Sequence, residues 1–389
     1  MNQGKYVFSQ LMSIVSHKQF QTIVKRYKGD YKVKDFSCWK QYLCMAFGQL
    51  THRESLSDTM LCLKSNSNKA YHLGIGEVVS KSTLSTANEN RSCLIYFDLA
   101  MLLIKQARQL YMDDNDIELY LKENVFAIDA TTINMCLSTF HWATFRQTKA
   151  GIKLHLQLDL KTGIPEFIYI STASVHEVHI LDMIQFQDNS FYIVDRGYVD
   201  YKRLYKIHGR NAFFITRAKT NMDCRTIERF TADRSNGIIY DHTVLLNNFY
   251  PARDYPDKLR RIKFYDKEKK KMFIFLTNNF HLKATEVAKL FKERWKIELF
   301  FKWIKQHLKI KSFWGHSENA VKTQIWIAVS VYTLIAIAKK RFMLKQSLYE
   351  ILQIVSISIF ERMPINELFK QTQKQYIKEQ KDKQLNIFE

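Results

Sequence analysis

The chain has 389 residues, of which 46% are hydrophobic, so it is long enough for two or three domains and too apolar to stay unfolded. Its formal net charge of +21 favours a polyanionic partner, with nucleic acid ahead of an anionic membrane or a merely basic enzyme. The six cysteines form no C-x-x-C pair, which argues against a zinc site and indicates reduced thiols.

The first 112 residues are predicted to be helical. Y-V-F-S-Q-L-M-S-I-V and W-K-Q-Y-L-C-M-A-F-G-Q-L carry apolar residues three and four positions apart. The later segment L-G-I-G-E-V-V-S-K-S-T-L-S-T-A-N-E-N-R-S has a glycine turn and then a serine-capped polar helix. This pattern is compatible with a helix-turn-helix DNA reader and equally with an ordinary solvated helix. The acidic stretch 112–118 is interpreted as a linker, which gives a helical region of residues 1–115.

From residue 122 the period becomes that of strands. Three strands are predicted first, from V-F-A-I-D-A-T-T-I-N-M, K-L-H-L-Q-L-D-L and I-P-E-F-I-Y-I-S-T-A. A helix, V-H-I-L-D-M-I-Q-F, is predicted next, followed by two more strands, F-Y-I-V-D and A-F-F-I-T-R-A. The order predicts a mixed α/β domain over residues 120–340. Within it, residues 217–278 alternate like antiparallel strands and are predicted to be a β-rich insertion.

A helix over residues 282–308 and an apolar helix over residues 318–340 are predicted next, and then a C-terminal helical tail at residues 341–389. The apolar run from Ile325 to Ala338 is too short to span a bilayer comfortably and is interpreted as a buried core helix. The N-terminus lacks the apolar core of a signal peptide. We therefore expect a cytoplasmic protein with no membrane partner.

Three carboxylates form the candidate site. Asp129 and Asp195 end apolar strand-like runs, and Glu298 shares one helical stripe with an aromatic ring and two cations. Three carboxylates on two strand ends and a helix are what two-metal phosphoryl transfer needs. Plainer roles stay open, because a strand-end aspartate often forms a turn and Glu298 can pair with Arg294 within a helix. The competing carboxylates are Asp159, Asp182, Asp188 and Glu293.

The segments resemble the DDE transposases of bacterial insertion sequences, in the branch with a Y-R-E-K signature (the insertion sequence four group). The signature spacing is matched by Phe291, Arg294, Glu298 and Lys305, with phenylalanine in the tyrosine position. The segments A-I-D-A-T-T-I-N-M-C-L-S-T-F-H-W-A and V-D-R-G-Y resemble the two aspartate motifs, in the family's order. The resemblance covers nearly the whole chain.

The resemblance implies an RNase H-like catalytic core with a β-rich insertion, preceded by an all-helical DNA-binding region. It implies that Asp129, Asp195 and Glu298 hold two Mg²⁺ ions, for which Mn²⁺ can substitute, and that no small-molecule cofactor is needed. Other residues are expected to bind DNA: these are Arg294, Lys305, Phe291, Lys149 and Lys153. Phe291 lacks the hydroxyl with which the family's tyrosine contacts a phosphate.

The implied function is to bind the terminal inverted repeats of an insertion sequence, cleave its ends and join them to target DNA. The partners would be double-stranded DNA and a second copy of the chain in a synaptic homodimer, and the protein would be nucleoid-associated. Two alternatives are a Mg²⁺-dependent nuclease without strand transfer and an inactive DNA-binding relic. For a hairpin route, a flipped base could stack on an aromatic residue of the insertion. The candidates are Tyr240, Phe249, Tyr250, Tyr255 and Tyr265.

Overall fold

The computed structural model describes residues 4–114, 121–307 and 313–370. The chain divides into two compact units, a first unit of Met1–Met112 with Lys302–Glu389 and a second unit of Asp113–Phe301. The sequence instead predicted three functional regions, residues 1–115, 120–340 and 341–389. That division by function stays a prediction.

The first unit is helical in its described part. Its helices are α1 (Val7–Met12), α2 (His17–Arg26), α3 (Cys38–Leu50), α4 (Leu56–Ser65), α5 (Ser67–Ala70), α6 (Lys81–Asn90), α7 (Leu94–Tyr111), α12 (Glu318–Arg341) and α13 (Leu348–Ser358). Serines begin several of them, because a serine oxygen can accept a hydrogen bond from a free N–H of the first turn. Ser80 caps α6 in this way, accepting from the Thr83 N–H at 3.2 Å. The predicted capping serine before the polar helix is therefore present.

Helix α12 forms the core of the helical unit. It is the only helix in the described ranges that is long and apolar enough to cross a membrane, and 94% of its most apolar window is buried inside the protein. Trp326 packs edge-on against Phe97 at 4.8 Å between ring centroids. The Tyr111 hydroxyl donates to the Ala336 carbonyl at 2.9 Å. These contacts make α12 a packed core helix, as the run from Ile325 to Ala338 predicted.

The second unit contains a ten-stranded sheet. Its strands are β1 (Val125–Met135), β2 (Thr144–Arg146), β3 (Lys149–Asp159), β4 (Pro165–Thr172), β5 (Phe191–Val194), β6 (Phe213–Arg217), β7 (Cys224–Phe230), β8 (Ile238–Leu246), β9 (Leu259–Asp266) and β10 (Lys271–Thr277). The order is β2-β3-β1-β5-β6-β10-β9-β8-β7, with β4 beside β3. Strands β1, β5 and β6 run parallel, and the other pairings are antiparallel. This mixed α/β architecture fits the RNase H-like core that the resemblance implies.

The predicted β-rich stretch is continuous with this sheet. Strand β10 pairs antiparallel with β6, through Phe275 opposite Arg217, and strands β9, β8 and β7 add on outward. Two short helices, α8 (Tyr201–His208) and α9 (Phe249–Asp254), accompany the sheet. The strands of residues 217–278 therefore extend the same layer as the strands that carry the two aspartates.

The helix predicted from V-H-I-L-D-M-I-Q-F does not form and is corrected to a 3-10 segment, Glu177–Asp182. Ile180 and Leu181 already reach the hydrophobic cluster beneath the sheet from this short turn. The Asp182 carboxylate accepts hydrogen bonds from Arg203 and Lys206 of α8, at 2.6 and 2.7 Å, which fixes the end of the segment. Tertiary contacts thus override the local helical pattern here.

Candidate active site

Each of the two aspartates comes directly after the last paired residue of a parallel strand. Strands β1 and β5 pair in parallel up to Ile128 and Val194, and Asp129 and Asp195 are the next residues. The carboxyl ends of parallel strands form the edge where α/β proteins commonly place ligand-binding groups. Strand β1 continues to Met135 against β3, so Asp129 lies inside its strand rather than at its end.

Asp129 is held by its own backbone and by an arginine distant in sequence. Its Oδ1 accepts from the Ala130 N–H at 2.8 Å, and its Oδ2 accepts from Arg294 Nη1 at 2.7 Å. Burial first, and then the nearby Asp195 and Glu177 carboxylates, raise the pKa of Asp129 to about 6 against the opposing effect of the Arg294 charge. Asp129 is therefore a carboxylate whose charged form is disfavoured by burial despite its ion pair.

Asp195 is in the opposite electrostatic situation. Its Oδ1 accepts from Arg217 Nε at 3.0 Å and from Nη2 at 2.5 Å. Burial pushes its pKa upward, but the Arg196 N–H, the Arg217 hydrogen bond and the charges of Arg217 and Arg294 outweigh it, so the pKa is lowered. Asp195 therefore remains ionised under conditions in which Asp129 begins to take up a proton.

The predicted single helix over residues 282–308 is two helices, α10 (Ala284–Glu293) and α11 (Trp295–His307), separated at Arg294. The Arg294 N–H donates to the Phe291 carbonyl at 3.2 Å, a tighter turn than an α-helix makes. From this break the guanidinium reaches in two directions. Nη1 binds Asp129, and Nη2 binds Glu298 Oε1 at 2.6 Å. The helical stripe thus does bring Arg294 to Glu298.

The other proposed DNA-binding residues differ in setting. Phe291 is buried, packs against Phe275 at 5.0 Å between ring centroids, and lies 5.9 Å from the Arg294 guanidinium. Lys149 is exposed at the start of β3. Lys153 donates to the Val175 carbonyl at 2.9 Å and lies 3.5 Å from the Glu177 carboxylate.

Lys305 lies near the end of α11, in the part of that helix that belongs to the helical unit.

The competing carboxylates have partners of their own. Glu293 pairs with Lys296 at 2.8 Å, Asp159 accepts from the Lys161 N–H at 2.9 Å, and Asp188 accepts from Asn211 at 2.7 Å. The DNA-binding roles of Arg294, Lys305, Phe291, Lys149 and Lys153 stay predictions.

Three residues of the site escape the sequence analysis. Arg217 ends the apolar run of β6, which is parallel to β5, so a basic residue after that run was the available signal. Glu177 lies close enough to Asp129 for its charge to raise the aspartate pKa. Tyr198, in the segment V-D-R-G-Y, is buried beside the same charges.

A cleft of about 640 Å³ opens beside Glu298 and Arg294. Cationic and aromatic side chains line it together, among them Arg217, Lys267, Lys269, Lys289, Lys292, Phe264, Tyr265, Phe273 and Trp295. Of the five aromatic candidates for base stacking, Tyr265 lines this cleft, whereas Tyr240 stacks on His242 at 4.5 Å and Tyr255 is buried.

Within the described ranges, no group of three or more His, Cys, Asp and Glu side chains gathers closely enough to hold a metal ion. The donor chemistry nevertheless fits a hard divalent cation, which prefers carboxylate oxygens. Arg294 binds one oxygen of Asp129 and one of Glu298, and Arg217 binds Asp195. The two guanidinium groups thus bind oxygens of all three candidate carboxylates.

Comparison with known proteins identifies the family. Residues 120–334 match the model of the transposase DDE domain, and residues 3–76 match that of a domain of unknown function (DUF4372). A Sinorhizobium fredii protein named as transposase y4zB is 34% identical over 58% of this chain and 64% of its own length. A Geobacillus stearothermophilus protein named as a transposase for insertion sequence element IS5377 is 25% identical over 54% of this chain and 55% of its own length.

The chain thus spans less than two thirds of the length of these two relatives. Among solved structures, a piggyBac transposase synaptic complex with hairpin DNA aligns over 96% of this chain and 84% of that chain, at 11% identity and a TM-score of 0.45. A TM-score this low does not establish a shared fold.

Proposed function

The chain belongs to the DDE transposases of bacterial insertion sequences, and we propose that it binds the ends of such an element, cleaves them and joins them to target DNA. One observation carries this proposal. Asp129 and Asp195 directly follow paired residues of the parallel strands β1 and β5. Arg294 forms ion pairs with both Asp129 and Glu298, and Glu298 lies on α11. The spacing of Phe291, Arg294, Glu298 and Lys305 supports placing it in the Y-R-E-K branch.

Family membership implies dependence on a divalent metal in general. We propose two Mg²⁺ ions, replaceable by Mn²⁺, on Asp129, Asp195 and Glu298. Bound there, the ions would supply the activation of the attacking oxygen and the stabilisation of the leaving one. The same residues would serve end cleavage by water and joining by a 3′-hydroxyl, because only the attacking oxygen differs. Arg294 would then be free to make paired hydrogen bonds to a phosphate.

The helical region supplies a surface that suits DNA. A groove of about 670 Å³ in this unit is lined by Lys28, Tyr31 and Lys34. Polar residues of α6 line it too: Ser82, Thr83, Thr86 and Asn90. Hydroxyl and amide groups can read base edges, and lysines bind phosphates without regard to sequence. We propose that this region binds the terminal inverted repeats.

Two ends must be cut for an element to move, so we propose that a homodimer brings them together in a synaptic complex with double-stranded DNA. A net charge of +21 supports polyanionic DNA as the partner. We further propose that the protein acts in the cytoplasm, associated with the nucleoid.

The test is a cleavage and joining assay on a labelled duplex that carries the end of the element, in Mg²⁺. Glu298→Gln keeps the side chain's size and removes its charge, so we expect cleavage and joining to fall at least about 100-fold while end binding persists. Glu293→Gln is the matched control, because Glu293 pairs with Lys296 and does not contact Arg294 through a described ion pair. It should cut and join like the wild type.

The other outcomes separate the alternatives. Cleavage without joining in the wild type would point to a nuclease. End binding with no cleavage in either protein would point to an inactive relic. Loss of cleavage in Glu293→Gln, with Glu298→Gln active, would move the third carboxylate to Glu293.

A further inference from the structure

Tyr198 carries a buried hydroxyl that no hydrogen-bond partner satisfies within the described part of the chain. The residue is 1% exposed and closes the 3-10 turn after β5, where its N–H donates to the Asp195 carbonyl at 3.0 Å. Tyr192, in the same hydrophobic cluster, differs because its hydroxyl accepts from the Gln187 N–H at 2.7 Å. Leaving a buried hydroxyl unpaired is destabilising, so Tyr198 has an unused donor available for a partner.

Tyr198 lies at the same edge of the sheet as the two aspartates. Its N–H binds the Asp195 carbonyl, and it packs in one hydrophobic cluster with Ile128 and Val194, the last paired residues of the parallel strands. Burial first, and then the negative charges of Asp129, Glu177 and Asp195, raise the pKa of Tyr198 far above its ordinary value. The hydroxyl therefore keeps its proton and can act as a donor near these charges.

We propose that Tyr198 is a positioning residue, whose hydroxyl donates a hydrogen bond to the Asp129 carboxylate when a divalent cation takes the place of Arg294 there. This inference rests on the proposed function, since it treats Asp129 as a cation ligand. Without a cation, the Ala130 N–H and Arg294 hold the two oxygens of Asp129. Each carboxylate oxygen has two acceptor sites, so Asp129 can bind a cation and still accept from Tyr198.

The departure of Arg294 would also remove the main positive partner of a carboxylate whose charge is already disfavoured by burial. A donor from the protein side would then fix the orientation of that carboxylate toward the cation. Hydrogen-bond partners of metal-binding side chains typically contribute about 10–100-fold to metal affinity. The hydroxyl is thus unpaired in the arginine-bound arrangement and paired in the cation-bound one.

The variant Tyr198→Phe removes the hydroxyl and little else. In EDTA we expect an unchanged or slightly higher melting temperature, because the lost group had no partner, and unchanged binding to the element-end duplex. In a calorimetric titration of MgCl₂ into the full-length protein on that duplex, we expect affinity about 10–100-fold weaker than wild type.

Tyr255→Phe is the matched control. Tyr255 is also 1% exposed, belongs to the same cluster, and has a hydroxyl without a partner among the described residues. The charges that act on it are those of Asp257 and Tyr205 rather than of the candidate site. Its loss should leave Mg²⁺ affinity at the wild-type value.

Three results would overturn the role of Tyr198: unchanged Mg²⁺ affinity in Tyr198→Phe, an equal loss in Tyr255→Phe, or a lower melting temperature in EDTA. Failure of the proposed function looks different. In that case the wild type would show no Mg²⁺ binding that Asp129→Asn abolishes, and the role of Tyr198 would fall with it.

Discussion

Arg294 Nη1 lies 2.7 Å from Asp129 Oδ2, across 165 residues of sequence, and the same guanidinium lies 2.6 Å from Glu298. One arginine thus binds two of the three carboxylates that are proposed to hold the cation. Its Nε is buried and has no hydrogen-bond partner among the described residues, so the side chain is not fully satisfied in this position. DNA phosphate would offer Arg294 a better set of acceptors and leave the carboxylates open.

This arrangement predicts that Arg294→Ala changes Mg²⁺ binding and activity in opposite directions. Without the guanidinium, Asp129 and Glu298 are open, so MgCl₂ should raise the melting temperature of the DNA-free variant more than that of the wild type. DNA cleavage should fall at least about 100-fold, because the proposed phosphate contact of Arg294 is lost. Differential scanning fluorimetry with and without MgCl₂ checks the first effect, and the cleavage assay checks the second.

Arg26→Ala is the control for this measurement. Arg26 binds Asp98 at 2.6 Å in the helical unit, so its removal breaks an ion pair without opening a candidate cation ligand. An equal Mg²⁺ response in both variants would contradict the view that Arg294 competes with the cation.

The raised pKa of Asp129 predicts how stability depends on pH. Its folded-state pKa of about 6 exceeds the ordinary 3.8, so the folded protein binds this proton more tightly than the unfolded chain does. The contribution of the group is therefore most favourable below about pH 4 and is lost as pH rises through about 6. Above that pH it leaves a penalty of about 1–3 kcal/mol.

Urea unfolding of the wild type and Asp129→Asn between about pH 4.5 and pH 7 measures this term. The free energy of unfolding of the wild type, relative to the variant, should fall across that window. Asp195→Asn is the contrasting control. Because the pKa of Asp195 is lowered, its contribution is lost only at more acidic pH, and the difference should stay nearly flat. A flat difference for Asp129→Asn would refute its raised pKa.

Much of this site follows from local sequence patterns. The alternation of V-F-A-I-D and the continuous apolar run F-Y-I-V-D predicted β1 and β5, and helical spacing predicted that Arg294 meets Glu298 four residues later. Those relationships span only a few residues, so propensity and periodicity determine them.

The contacts that the patterns miss are long-range. Arg217 reaches Asp195 because β6 is the parallel neighbour of β5, and the register of that pair is not written in either strand alone. The break at Arg294 is similar in kind. Local spacing predicted a regular helix through Arg294, but the helix breaks there. The Arg294 guanidinium is held by Asp129, which lies far away in sequence on β1. Strand order and register decide such contacts, and they depend on the whole sheet.

The pair formed by Arg260 and Asp241 is predicted to be the strongest ion pair for the stability of the β8–β9 region. The side chains are 7% and 6% exposed, and Arg260 donates from Nε and Nη2 to the two carboxylate oxygens at 2.9 and 2.6 Å. Removing one partner of a buried pair strands the other charge, so Asp241→Ala should lower the free energy of unfolding by about 3–5 kcal/mol.

The exposed pair of Lys292 and Glu268 provides the comparison. It has a similar distance of 2.7 Å, but its side chains are 51% and 76% exposed. Glu268→Ala should change the free energy of unfolding by less than about 1 kcal/mol in the same urea titration. Similar losses in the two variants would show that the Arg260 pair is not isolated from solvent.

Gly237 gives a further test of the region that extends the sheet. It has φ +85°, and an added Cβ would lie 2.6 Å from the Tyr265 carbonyl oxygen. Gly237→Ala therefore combines backbone strain with a clash against the backbone of β9, and we expect a loss of about 2–4 kcal/mol in unfolding free energy. Gly163 also has a positive φ, +68°, but a Cβ there meets nothing within 4 Å. Gly163→Ala should cost only about 1 kcal/mol, from strain alone. Equal losses, measured by thermal or urea unfolding, would mean that β9 can yield at Tyr265 and that the turn before β8 is not fixed by this contact.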